Sequence, residues 1–80
     1  MNRTERMNTK NLTSAQLEAY EAGEQWFNDH CDQNSKMKIY STIKELEGIA
    51  PDLVGTVLVD FALEGALAAS SQRLKYLSSR

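Results

Sequence analysis

Leu53–Ala69, LVGTVLVDFALEGALAA, is the densest apolar run in the chain and carries only two charges, Asp60 and Glu64. Strands of globular proteins mostly end by about ten residues, so the length of the run predicts a helix. At roughly 100° per residue, Asp60, Glu64 and Ser71 fall on one narrow stripe, and the rest forms an apolar arc about 240° wide. A surface helix needs little more than about 100°. This helix therefore has to be covered on more than one side. Two acids near its middle, and a length short of the roughly 20 residues a span requires, argue against a membrane segment.

Gly55, Ala62 and Ala69 recur at seven-residue spacing, with Ala66 beside them. Side chains this small let two helix backbones approach closely and pack along their length. Such a face serves either another helix of the same chain or a second copy. Eighty residues make one small domain, and chains of that size often lean on a metal, disulfides or oligomerisation. The expectation is therefore a homodimer through the third helix, with Gly55, Val59, Ala62, Ala66 and Ala69 at its interface.

Upstream, Thr13-Ser14-Ala15-Gln16 has the form of a capping box, with Leu12 and Leu17 placed to staple across it. The pattern beyond it predicts a first helix over about residues 13–34. Ala15, Ala19, Ala22, Trp26 and Phe27 gather on one half of its wheel, and Glu18, Glu21, Glu24, Asp29 and Asp32 on the other. Asp32-Gln33-Asn34-Ser35 is a cluster of turn formers, and Ser35 is a suitable N-cap for a second helix. Ile39, Ile43, Leu46 and Ile49 recur at helical spacing and predict that helix over 36–48. Gly48 then reads as its C-terminal stop and Pro51 as the first turn of a third helix over 51–77. Three helices with short connections make an all-α bundle. Residues 1–11, polar and basic with Arg3, Arg6 and Lys10, read as a flexible tail, and residues 12–80 as the single helical domain.

Few side chains here carry chemistry. One cysteine, Cys31, gives no disulfide framework and fits a reducing compartment, and no signal-peptide pattern opens the chain; the expected location is the cytoplasm. Asp29-His30-Cys31-Asp32 has metal-binding residue types, but neighbours on a helix point about 100° apart and cannot converge on one ion. The same divergence separates His30 from Cys31 as a catalytic pair, and no glycine-rich phosphate loop occurs. The sequence predicts no enzyme, no cofactor and no metal.

The formal net charge is only −2, yet the chain between residues 11 and 35 holds five acids and no Lys or Arg. Like charges spread along one helix steer association with a basic surface. The functional expectation is a small protein-binding regulator or inhibitor of the kind phages and other mobile elements encode. It would present Glu18, Glu21, Glu24, Asp29 and Asp32 to a basic, nucleic-acid-processing partner. The alternative is a DNA-binding transcriptional regulator using the basic tail with Lys36 and Lys38. A helix-turn-helix reading fails on its recognition helix, which offers acids and no Arg, Lys, Asn or Gln to base edges.

Overall fold

The structure, a computed structural model, describes residues 11–79. It is all-helical among those residues: α1 spans Ser14–His30, α2 Lys36–Val54 and α3 Val59–Ser79, with a 3-10 turn at Thr56–Leu58 leading into α3. The basic tail, except for Asn11, lies outside the described residues.

The start of α1 is the one the sequence predicts. Thr13 takes an extended conformation, its hydroxyl accepts from the Gln16 N–H at 3.2 Å, and the Gln16 side chain accepts from the Thr13 N–H at 3.0 Å. Caps of this kind are worth about 1 kcal/mol. The helix closes at His30, not at 34, because Cys31 turns extended while its N–H still bonds the Phe27 carbonyl. The Asp32 carboxylate then accepts from the Asn34 N–H at 3.1 Å, an Asx turn that draws the backbone out of the helix. Ser35 caps α2 through the Lys38 N–H at 3.3 Å.

The boundary between the second and third helices differs from the sequence reading. α2 continues through Gly48 and Pro51 to Val54, and α3 begins at Val59 instead of residue 51. Gly48 has nothing within 4 Å of an added Cβ, so it sits as an ordinary, open helix position. Pro51 lies in the last turn of α2, where its missing N–H forfeits a single helical bond. The chain breaks at Gly55, at φ 88° and ψ 153°, a region closed to residues with a side chain. Its N–H closes α2 on the Pro51 carbonyl at 2.9 Å, and its carbonyl receives the Leu58 N–H at 3.2 Å. The apolar run Leu53–Ala69 is thus the end of one helix, a corner and the start of the next.

Packing is most extensive between α1 and α3. A Cβ on Gly23 would stand 1.8 Å from the Ala62 carbonyl oxygen, and one on Gly65 would stand 1.9 Å from that of Tyr20. The two backbones cross in contact here, each glycine set against the other helix. Farther along, the Arg73 Nε–H donates to the Gln33 carbonyl at 2.7 Å, beyond the end of α1. From the crossing to the Arg73 contact both segments advance, so α1 and α3 run in the same general sense and α2 returns between them. Phe27, Ile39, Leu46, Ala50 and Ala66 are fully buried at the centre, with Trp26, Cys31, Ile43, Val59, Leu63, Ala69, Leu74 and Leu77 packed around them. Every buried side-chain polar atom among the described residues is partnered; the Ser70 hydroxyl, for example, donates to the Leu67 carbonyl at 2.9 Å.

The glycines divide sharply under substitution. Gly23→Ala and Gly65→Ala drive a methyl into backbone and should each lose about 2 kcal/mol, after a helix-propensity gain of up to about 1 kcal/mol. Gly48→Ala meets open space and should gain about 0.5–1 kcal/mol. Urea midpoints at unchanged m-value read both signs.

Candidate partner-binding surface

The outward side of α1 is fixed by what its inward side buries. Ala19, Gly23 and Phe27 are buried, and the opposite strip carries Glu18, Glu21, Gln25, Asn28 and Asp29, all of them exposed. From Glu18 to Asp29 the strip runs roughly 16 Å along the helix axis. Gln25 donates through Nε2 to Asp29 Oδ1 at 2.8 Å, and Gln33 likewise to Asn28 Oδ1 at 3.0 Å, so the polar groups form a local hydrogen-bonded row. The described residues hold one ion pair, Lys44–Glu47 at 3.9 Å on α2, with both side chains largely in solvent. A pair so placed contributes little.

Two of the acids expected on this strip stand elsewhere. Glu24 is half-buried on the flank that turns toward α3, where its backbone N–H borders Gly65. Asp32 lies past the helix end and is engaged in the Asx turn. The contiguous acidic strip is Glu18, Glu21 and Asp29.

The Asp29–Asp32 cluster disperses. His30 stacks on Trp26, with ring centroids 4.1 Å apart and an interplanar angle of 12°, and its Nδ1 bonds the Trp26 carbonyl at 2.9 Å. A carbonyl only accepts, so Nδ1 carries the proton. Cys31 packs against the core, Asp29 accepts from Gln25, and Asp32 is held by the Asn34 N–H. Among the described residues no three His, Cys, Asp or Glu side chains gather as a metal site would require.

The interface expected for a homodimer is occupied from within. Ala62 and Ala66 have no exposed surface, because the glycine-lined face of α1 lies on them. Val59 and Ala69 pack against the core, and Gly55 forms the corner between α2 and α3. The small-residue face is therefore an intramolecular seam.

Other surfaces are not evident from the sequence. Met37 and Val57 are 80% and 86% exposed, and Tyr40, Ile49, Leu53 and Tyr76 also reach solvent. Lys36 and Lys38 lie on the first turn of α2, on either side of Met37. Helical periodicity flags Ile49 as core, but it lies roughly 60–100° around the helix from the buried Ile39, Leu46 and Ala50, at the edge of that face. No described helix is long and apolar enough to cross a membrane. No protein family, curated protein or solved structure matches the chain.

Arg73 is the strut at the opposite end. Besides the Gln33 carbonyl, its guanidinium bonds the Asn34 side chain and lies 4.5 Å from the centroid of the Tyr76 ring. A lysine has no planar fork to make these contacts together. Arg73→Lys should therefore speed amide hydrogen exchange in the Asp32–Ser35 turn while leaving the Gly23–Ala62 seam protected.

Proposed function

We propose that the chain is a small, non-enzymatic binding protein that docks the acidic strip of α1 on a basic surface of a larger protein, as a regulator or inhibitor. The observation that carries this reading is the run of outward-facing Glu18, Glu21 and Asp29 on a helix that bears no Lys or Arg at all. Solvated helix faces commonly interleave charges of both signs, and α2 does so with Lys44 beside Glu45 and Glu47. α1 does not.

Rigidity favours the same reading. The capping box fixes one end of α1 and the contact with α3 fixes its middle, so the backbone positions that carry the acids are set before any partner arrives. Preorganisation lowers the ordering cost of association, and uniform charge raises its rate. A nucleic-acid-processing enzyme, whose binding groove is lined with Lys and Arg, is the kind of partner such a strip complements. Lys36 and Lys38, the residues a DNA-binding reading requires, share their end of the bundle with Asp29 and Asp32, which weakens the field there.

The test is affinity capture from host-cell extract with the tagged chain, identification by mass spectrometry, and titration of the captured protein. Reversal of the strip in E18K/E21K/D29K should weaken binding at least tenfold and abolish its salt dependence, with an unchanged circular dichroism spectrum. Equal affinity of the reversed variant would remove α1 as the binding surface.

A further inference from the structure

We infer that copies of this chain associate head to tail, the N-terminal end of α2 on one copy docking against the α2–α3 corner of another. The first surface is apolar at its centre, with Met37 80% and Tyr40 60% exposed; Lys36 and Lys38 flank it, and Lys44, paired with Glu47, lies farther along the same side. The second is also apolar at its centre, with Ile49, Leu53 and Val57 at 37%, 42% and 86% exposure, and is rimmed by the exposed Glu45, Asp52 and Asp60. One surface thus presents apolar side chains flanked by the cations Lys36 and Lys38, and the other presents them flanked by anions. Apolar centres with polar rims are the anatomy of protein interfaces, and opposite rims set both partner and register.

The placement of the two surfaces rules out their closing on each other in a pair. They are centred about 13 residues apart on one helix, or roughly 20 Å along its axis. Met37 and Tyr40 also point roughly 120–180° away from Ile49 and Leu53 around that axis. A two-fold dimer would bring a cation-rimmed patch onto another cation-rimmed patch, or need both patches on one side. Neither condition holds. A contact between unlike surfaces that does not close propagates as a chain of copies. The occupant is a second copy, because the complementary charge and the complementary apolar area are both present on the same molecule. The acidic strip on α1 takes no part in this contact and stays open to another partner.

Each patch is small against a standard interface, so the association is weak and grows with concentration. Sedimentation velocity should show the weight-average mass rising above 9.0 kDa with concentration, and falling back in high salt as the charged rims are screened. Val57→Lys sets a cation against the lysine rim, and M37N/Y40N removes the other apolar centre. All three side chains are exposed, so the helices stay intact, as circular dichroism would verify. Each variant alone should associate at least tenfold more weakly. Mixed in equal amounts they should form a 1:1 dimer and nothing larger, because each supplies the surface the other has lost and the two altered surfaces repel or fail to match. A wild-type chain that stays at 9.0 kDa throughout overturns the inference. So do variants that associate like wild type, or that remain monomeric when mixed. A chain that stays monomeric yet shifts duplex DNA in a manner dependent on Lys36 and Lys38 would assign the lysine-rimmed surface to nucleic acid instead.

Discussion

Gly23 on α1 rests against the backbone of Ala62, and Gly65 on α3 rests against that of Tyr20, with no room at either place for one additional carbon. This backbone-to-backbone seam sets the distance between α1 and α3, and the rest of the bundle is built around that distance. It buries Ala62 and Ala66 completely and draws Phe27 into the same core as Ile39, Leu46 and Ala50. Had either glycine been alanine, the helices would stand farther apart. Phe27, which with Ile39 and Leu46 is among the largest fully buried side chains, would then face gaps that nothing nearby is large enough to fill.

Close approach has a cost in apolar area, because glycine and alanine bring little of it. The chain compensates with contact density in the seam and with hydrogen bonds at the bundle's ends. At one end Thr13 and Gln16 satisfy the first N–H groups of α1. At the other, Arg73 ties α3 to Gln33 and Asn34, so the turn between α1 and α2 cannot open without breaking contacts made some forty residues along the chain. The long side chains that a small core does not take in, Met37, Tyr40, Leu53 and Val57, are left on α2 and at the corner after it.

Local devices are legible in the sequence, and devices settled by tertiary contact are not. The capping box at Thr13–Gln16 and the Ser35 cap are short-range hydrogen-bond patterns whose partners lie three residues away, and they appear where the sequence places them. The boundary between α2 and α3 is misread from sequence because Gly48 and Pro51 together are stronger local punctuation than Gly55 alone. What decides is that Ile39, Leu46 and Ala50 share one buried face, which carries the helix past both residues, whereas φ 88° at Gly55 leaves no continuation. The small-residue spacing does mark a close-approach face. Its owner is hidden, because the matching Gly23 reads locally as a weak point within α1 and only the packed structure sets it against Ala62. On the acidic side, a wheel projection puts Glu24 and Asp32 with the others. The packing of α1 on α3 pulls Glu24 inward, and the Asx turn takes Asp32 off the helix.

The charge distribution obeys the same geometry. With α1 and α3 in one sense and α2 reversed, Lys36, Lys38, Arg73 and Lys75 come to one end of the bundle with Asp29 and Asp32 among them, while Glu18, Glu21, Asp52, Asp60 and Glu64 sit toward the other. A formal net charge of −2 therefore conceals a molecule with two electrically different ends. Fields from such an arrangement extend about a Debye length, roughly 8 Å in physiological salt, far enough to orient an approaching macromolecule but not to hold it. Holding requires apolar area or directed hydrogen bonds at the point of contact. The α1 strip offers carboxylates with Gln25 and Asn28 between them and almost no apolar area, so it suits a partner that brings its own cations in matched positions. The two ends of α2 offer apolar centres inside charged rims and suit a partner of similar construction. A small chain that commits Gly23, Gly65, Ala62 and Ala66 to one internal seam is left with outward surfaces that differ in charge and in apolar area.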